Sequence, residues 1–186
     1  MQHIRCAWVS QDPIYQEYHD KVWGRPVRNK YELFAKLCLD GQQAGLSWIT
    51  ILKKRENFRI AFDNFDYKKI ANYKQGKFDE LIVNAGIIRN KLKIKSAITN
   101  AQLFMQIQKE FGSFSTYIWA FVDGKPIVNS FDKREEVPAT TLLSDTISKD
   151  LKKRGFKFVG STIIYAFMQA TGMVNDHTTD CFCYTK

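Results

Sequence analysis

The chain has 186 residues, of which 45% are hydrophobic, 14% aromatic and 25% charged, and its 4 prolines and 10 glycines exclude a disordered or collagen-like chain. This length is sufficient for one domain with a substantial core. The 28 Lys and Arg exceed the 19 Asp and Glu, and the net charge of +9 indicates a polyanionic partner, with nucleic acid ahead of membrane. A basic charge that only aids solubility is the alternative.

The first third of the chain predicts three helices. An Asp-Pro pair at 12–13 is typical of a helix N-terminus, and we expect this helix to end near residue 22. Residues 29–32 resemble a capping box and are followed by apolar residues at helical spacing. Ser47 is a candidate N-cap for a third helix that ends near residue 62.

The rest of the chain is also predicted to be helical. We expect short helices over 66–73, 78–84 and 113–121, a long helix over 90–111 closed by Gly112, and helices over 143–154 and 160–172. Two prolines and mixed charge in 125–141 predict a surface loop. No stretch shows a convincing alternation of period two, so the predicted class is all-α, with residues 1–186 forming a single domain.

The termini and the cysteines indicate a cytoplasmic protein. The first dozen residues lack the apolar segment of a signal peptide. The longest apolar stretch, 156–174, is interrupted by polar residues and predicts a buried helix rather than a membrane span. Four unevenly spaced cysteines do not resemble the disulfide framework of a secreted protein.

Two cysteine–histidine pairs lie at opposite ends of the chain. Cys6 and His19 are separated by 12 residues, and His177 and Cys181 by three. Two thiolates and two imidazoles fill a tetrahedral zinc site completely, which predicts a structural zinc ion that joins the two termini. Cys183 is a competing ligand. The alternative is that no metal binds and that the C-terminal cysteines have no common function. His3 is interpreted as a solvated residue.

Aromatic residues are concentrated near the N-terminus. Trp8 and Trp23 flank the first predicted helix, which favours a cleft, although packing in the core is the alternative for any one member. The polar, glycine-bearing turn between Asp40 and Trp48 interrupts two apolar helices. A single acid among aromatic faces suits a ligand that is flat and either cationic or hydrogen-bond-donating.

Three basic segments, 53–55, 89–95 and 149–157, supply most of the excess charge. The middle segment follows a short apolar helix and Gly86, and the layout of residues 78–98 is typical of a helix-hairpin-helix that holds a DNA phosphate. A solvated helix face is the alternative for each segment. The three basic segments therefore indicate a nucleic-acid partner.

Ordered motifs along the whole chain resemble the 3-methyladenine DNA glycosylase I family. They are Cys6-Ala7-Trp8-Val9, the run from Asp12-Pro13 to Tyr18-His19-Asp20 and Trp23-Gly24, Gln42-Gln43-Ala44-Gly45-Leu46-Ser47-Trp48, Ile51-Leu52-Lys53-Lys54-Arg55, Gly86-Ile87-Ile88-Arg89, the segment from Lys153 to Gly160, and Val174-Asn175-Asp176-His177. The resemblance implies an all-α fold of the helix-hairpin-helix superfamily. It also implies release of 3-methyladenine from alkylated double-stranded DNA, which leaves an abasic site without strand cleavage.

The resemblance also implies roles for individual residues. Zinc is expected on Cys6, His19, His177 and Cys181. The extruded base is expected to contact Asp40, Tyr18 and Trp48 in a pocket lined by Trp8, Tyr15 and Trp23. From position and chemistry, Gly45 and Leu46 form a candidate wedge, and Gly86, Arg89 and Lys91 are candidate DNA contacts. We expect the protein to act as a monomer.

One position departs from the family pattern, which usually has glutamate where this chain has Asp40. The charge is kept, but the side chain is one methylene shorter. This difference motivates a second hypothesis, a non-catalytic binder of alkylated bases or alkylated DNA. A third hypothesis, from another class, is a structural basic zinc protein.

Overall fold

Helices dominate residues 3–185, the part of the chain that this computed structural model describes. They are α1 (Pro13–Lys21), α2 (Lys30–Gln43), α3 (Trp48–Ala61), α4 (Tyr67–Ile70), α5 (Gln75–Val83), α6 (Lys91–Phe111), α7 (Phe114–Ala120), α8 (Leu142–Lys153) and α9 (Ser161–Ala170). Two 3-10 turns cover Asp63–Phe65 and Arg134–Glu136. The all-α class predicted from the sequence is confirmed.

The predicted helix starts are set by side-chain caps. The Asp12 carboxylate accepts a hydrogen bond from the amide of Ile14 at 3.1 Å, and Asn29 caps α2 in the same manner. Ser47 does occupy the N-cap position of α3, but its hydroxyl bonds to Thr50 instead of to a backbone amide. The first two helices are therefore fixed locally, whereas α3 depends more on packing.

The segment 125–141 contains structure that its sequence did not predict. Its strand β1 (Ile127–Val128) pairs in parallel with β2 (Val174–Asn175), and a 3-10 turn follows at Arg134–Glu136. Strands of two residues are too short to show an alternating pattern. The pairing holds this segment against the chain just before the C-terminal histidine.

Helix α2 runs through the main core and contacts α3, α6, α7 and α9. Leu33 and Phe34 in its first turns are fully buried, and the rings of Tyr67 from α4 and Phe104 from α6 pack against Phe34. Because α2 is held on several sides, the residues at its C-terminal end are held in place as well. Asp40 and the turn that follows it lie at that end.

A second, smaller apolar cluster joins the two ends of the chain. Its buried members are Cys6, Tyr18, Trp23, Leu52, Cys181 and Cys183. In addition, the amide of Phe182 donates to the carbonyl of Ile4 at 3.0 Å. None of the helices in 3–185 is both long enough and apolar enough to cross a membrane.

Candidate functional site

A cavity of about 360 Å³ opens beside α1, between the end of α2 and α9. All six residues that the sequence predicted for the base pocket line it: Trp8, Tyr15, Tyr18, Trp23, Asp40 and Trp48. They come from the N-terminal segment, from α1 and the residues just after it, and from the two sides of the turn between α2 and α3. The predicted residues are therefore brought together in one place.

The aromatic rings form the walls of this cavity. Trp8 lies edge-on to Trp23, with 5.0 Å between the ring centroids, and 5.1 Å from Tyr15. On the other side, the rings of Tyr18 and Trp48 are 5.2 Å apart. These separations are those of favourable aromatic pairs, so the walls are preorganised. They offer apolar faces to a flat ligand.

Asp40 is the buried acid of the cavity, and only 2% of its surface is exposed. Its Oδ2 atom has no hydrogen-bond partner, and neither has the indole Nε1 of Trp48. Burial raises the pKa of Asp40 to about 7, while the charge of Lys36 one helical turn earlier acts to lower it. An acceptor and a donor without partners, in a buried aromatic cavity, are suited to a ligand with its own donors and acceptors.

A second cavity, of about 580 Å³, lies on the other side of the wall that Tyr18, Asp40 and Trp48 form. Lys36 and Arg55 are among the residues that line it. Asp40 is thus flanked by the ligand cavity on one side and by cationic side chains on the other.

The segment 125–141 contributes to the main cavity through Arg134, Val137 and Pro138, which the sequence did not predict. A second acid, Asp176, also lines the cavity. Its carboxylate, however, accepts hydrogen bonds at 2.6–2.8 Å from Tyr165, Gln169 and Asn129. Asp176 is therefore a fixed structural group, in contrast to Asp40. No local signal in the sequence of 125–141 indicates that Arg134, Val137 and Pro138 line the cavity, because the pairing of β1 with the distant strand β2 brings this segment there.

The turn between α2 and α3 projects a hydrophobic side chain into solvent. Gly45 adopts a positive φ of 75°, which favours glycine, and Leu46 beside it is 41% exposed. The amide of Leu46 donates to the carbonyl of Gln43 at 2.6 Å, and Gln43 lines the cavity. An exposed leucine on a tight turn next to the cavity is compatible with the predicted wedge.

Helix α5, a turn and the start of α6 occupy the region for which the sequence predicts a helix-hairpin-helix. A Cβ atom at Gly86 would lie 3.2 Å from the side chain of Asn57, so close packing against α3 favours glycine there. Asn90 caps α6, and Arg89 and Lys91 are both exposed beside the cap. The hairpin thus presents two cations and a helix start to solvent.

Three lysines of the basic segments 53–55 and 89–95 contact other parts of the protein. Lys53 pairs with Asp12 at 2.8 Å, and Lys54 donates to the carbonyl of Ala85 at 2.9 Å. Lys93 is only 5% exposed, because it lies on the face of α6 that packs against the core. These three lysines stabilise contacts between elements.

A cluster of potential metal ligands joins the termini. One donor atom each of His19, His177, Cys181 and Cys183 lies within 4.8 Å of all the others, and the four residues are buried. Cys6 is not a member of this group. It is buried in the same apolar cluster as Cys181, and the interaction of the two thiols raises the pKa of Cys6 and lowers that of Cys181 to about 4. The cluster is therefore suited to bind a metal ion, and its thiols include one that favours the thiolate.

The two imidazoles are oriented by residues outside the cluster. His19 Nδ1 lies 2.8 Å from Asp20, which Arg5 holds in turn, and His177 Nδ1 lies 2.8 Å from the side-chain oxygen of Asn175. Each contact makes Nδ1 the donor and leaves the lone pair on Nε2, which in His19 lies 3.4 Å from Cys181 Sγ. His177 Nε2 is buried without a partner. This arrangement is typical of metal-binding histidines, and the donor set fits zinc.

His3, in contrast, is exposed and stacks on Phe182 with 4.3 Å between the ring centroids. Its ring therefore makes an aromatic contact near the cluster.

Comparisons with known proteins agree with this geometry. The model of the methyladenine glycosylase family matches residues 8–184. DNA-3-methyladenine glycosylase 1 of Escherichia coli strain K12 is 51% identical over 180 residues, which cover 97% of this chain and 96% of that protein. DNA-3-methyladenine glycosylase of Haemophilus influenzae is 50% identical and covers 98% of both chains.

Solved structures show the same fold. A crystal structure of a 3-methyladenine DNA glycosylase I has a TM-score of 0.95 and 50% identity, covering 98% of this chain and 100% of that one. A Staphylococcus aureus enzyme, solved to explain how it recognises 3-methyladenine, has a TM-score of 0.94 and 36% identity, covering 98% and 97%. The chain is a member of the methyladenine glycosylase family.

Proposed function

We propose that the protein is a DNA repair glycosylase that removes 3-methyladenine from alkylated DNA, with Asp40 as the residue that recognises the extruded base. The observation that carries this proposal is the unpartnered Asp40 Oδ2 at the wall of an aromatic cavity of about 360 Å³. A buried polar atom without a partner costs about 1–3 kcal/mol, so its presence favours a ligand that supplies the missing bond. An adenine amino group is such a donor.

Base extrusion is required because the bond to be cleaved is not accessible within the stacked duplex. Stacking between the rings of Tyr18 and Trp48 on one side and Trp8 on the other compensates for the lost stacking in DNA. Methylation at N3 makes the base cationic, so aromatic faces and a carboxylate both favour it over adenine. Tyr15 and Trp23 complete the walls.

Hydrolysis breaks the bond between C1′ of the sugar and N9 of the base. The bonding electrons leave with the base, which becomes neutral because it began with a positive charge. A water molecule then adds to C1′ and releases a proton, and the product is an abasic site with an intact strand. Departure of a cationic base needs no strong general acid, which accounts for a cavity with a single unpaired carboxyl group. Asp40 holds the base by its edge and stabilises positive charge developing on the sugar.

Two elements are proposed to hold the DNA. Leu46, presented by the turn at Gly45, enters the gap that the extruded base leaves in the duplex. The hairpin at Gly86, with Arg89 and Lys91, contacts a phosphate at the start of α6. The binding is therefore expected to weaken steeply with salt, as for any protein that neutralises phosphates.

The metal is proposed to be one structural zinc ion on Cys6, His19, His177 and Cys181. Cys6 and Cys181 are buried in the same cluster, whereas the Cys183 thiol already donates to the carbonyl of Asp20 at 3.9 Å. That contact of Cys183 favours Cys6 as the fourth ligand, and the position of Cys183 within the 4.8 Å group makes it the rival. The ion would supply a fixed crosslink between the termini.

The whole chain is proposed to work as one domain and as a monomer in the cytoplasm. The family match over residues 8–184 supports the first point, since it covers both the cavity and the hairpin.

The experiment that tests the proposed function is base release. Duplex DNA treated with a methylating agent is incubated with the full-length protein, and the released bases are separated by chromatography. We expect free 3-methyladenine to appear and the strand to remain uncut until the abasic sites are cleaved by heat or alkali. DNA binding without any base release would support the non-catalytic alternative.

A further inference from the structure

Lys93 is a buried lysine whose charge faces carbonyl groups. Its ammonium donates to the carbonyl oxygens of Gln42 and Ala44, at 2.7 Å in both cases. The side chain of Gln42 donates back to the Lys93 carbonyl at 3.1 Å. Three hydrogen bonds thus connect the first turn of α6 with the last turn of α2 and the residue that caps it. No carboxylate forms a salt bridge with Lys93 within residues 3–185.

The burial of this ammonium has a physical cost, since desolvation lowers the pKa of Lys93. The carbonyls at the end of α2 offset this cost, because they carry the negative end of the helix dipole and have no partners within the helix. A methionine or leucine would fill the same space without needing such compensation. The contact therefore indicates a requirement for fixed geometry at the end of α2.

The two connected elements carry different parts of the proposed site. The α6 side bears the hairpin that is proposed to hold a phosphate, with Lys91 two residues before Lys93. The α2 side bears Asp40, two residues before Gln42, and the turn that presents Leu46. Two of the hydrogen bonds of Lys93 end on the backbone carbonyls of Gln42 and Ala44, where that turn begins.

We propose that Lys93 is a positioning residue that couples the grip on DNA phosphate to base extrusion, by fixing the turn of Leu46 to the hairpin. This inference rests on the proposed function. It assigns to Lys93 no contact with the base, the sugar or the phosphate. Lys93 should therefore increase the rate of excision when the damaged base must be extruded from a base pair. Its effect on that rate should be much smaller when the damaged base is already unpaired.

The test compares two duplexes of the same sequence in single-turnover excision with the full-length protein. In the first duplex 3-methyladenine lies opposite thymine, and in the second it lies opposite an abasic site. We expect Lys93→Met to slow excision from the paired duplex by about tenfold or more, and from the unpaired duplex by less than about threefold. Lys109→Met, which removes an exposed charge near the end of the same helix, is the matched control and should leave both rates unchanged.

A further control distinguishes loss of the coupling between phosphate contact and base extrusion from unfolding of the variant. Circular dichroism and thermal melting set an assay temperature at which the variant is folded. If Lys93→Met does not fold, Gln42→Met removes the reciprocal bond and should show the same selective loss, with a smaller size. Equal slowing on both duplexes, or no slowing, overturns the coupling. Absence of base release by the wild-type protein on either duplex would instead overturn the proposed function itself.

Discussion

The metal-ligand cluster and the aromatic cavity are neighbours, since Cys6 packs in one buried cluster with Cys181 and Cys183 and also lines the cavity. The two regions differ in how their buried polar groups are hydrogen-bonded. In the cluster, Asp20 and Asn175 fix the two imidazoles, and His177 Nε2 is the one side-chain atom there, within residues 3–185, that is buried without a partner. In the cavity, Asp40 Oδ2 and Trp48 Nε1 both remain unpaired.

This difference indicates that the cluster is suited to a ligand that stays bound and the cavity to a ligand that binds transiently. Orientation by neighbouring side chains holds ligand atoms in one geometry, which suits an ion that stays bound. Unpaired groups inside rigid aromatic walls suit a base that enters, reacts and leaves. The unpaired groups carry a desolvation cost, so the cavity is a locally destabilised region of the fold.

The largest effect is expected in the cavity, from Asp40→Asn. Loss of the carboxylate should reduce single-turnover release of 3-methyladenine by about 100-fold or more, as for removal of one preorganised electrostatic contact. Asp145→Asn removes an exposed acid from α8 and is the control. A rate within about threefold of wild type for Asp40→Asn would show that the unpaired carboxyl is not the recognition group.

Removal of the metal should mainly lower the thermal stability of the protein, whereas Asp40→Asn should mainly lower the rate of base release. We expect the purified protein to contain one equivalent of zinc, and chelation to lower the melting temperature by about 10 °C or more, because metal binding contributes directly to folding. Elemental analysis and differential scanning calorimetry measure the two quantities. Well under one equivalent of zinc in a protein that folds normally contradicts the zinc proposal.

The same measurements compare the two rival thiols. Cys6→Ser should lose zinc, whereas Cys183→Ser should retain about one equivalent and lose less stability. The reverse result would assign the fourth ligand position to Cys183.

A smaller effect, on the pH dependence of the free energy of unfolding, is expected from the titration of Asp40. Burial raises its pKa to about 7 in the folded protein, from about 3.9 in an unfolded chain. The stability that this carboxyl contributes is therefore complete below about pH 4 and is lost as the pH rises through 7. Because Asp40→Asn removes the titration, its stability relative to wild type should increase between pH 5 and pH 8, by on the order of 2–4 kcal/mol. Denaturant unfolding at the two pH values provides the test, and a constant difference would contradict the buried, titrating carboxyl.

The smallest effect is expected from Asp40→Glu, which restores the acid usual in the family. Charge and acceptor number are unchanged, and a water molecule can bridge the distance that the shorter side chain leaves. Base release should remain within about threefold of wild type or increase. A strong decrease would show that the cavity of this chain is shaped around aspartate.

Features determined by nearby residues could be predicted from the sequence. The caps at Asp12 and Asn29 follow from residues next to the helix starts. The proximity of Tyr18 to Trp48 was expected only from the family resemblance, because a whole helix separates the two residues in the chain. The basic segment 89–95 is predicted to contact phosphate or, in the alternative, to lie on a solvated helix face, and neither prediction holds for Lys93, which is buried. Its spacing from Ala97 on α6 places it on the buried stripe of that helix, which is a signal that the charge of the run obscured.

Features determined by distant contacts could not be predicted. Arg134 reaches the cavity because β1 pairs with β2 nearly fifty residues later in the chain. The choice between Cys6 and Cys183 likewise depends on how the two termini pack, since both spacings from the histidines are compatible with a metal site.

The most direct test of the central claim is the release of 3-methyladenine from methylated duplex DNA by the wild-type protein, measured beside Asp40→Asn under conditions in which both proteins bind the DNA. The account predicts that the wild-type protein releases the free base and leaves abasic sites, and that the variant binds DNA but releases almost none. Binding of methylated DNA by the wild-type protein with no release of the base would contradict it.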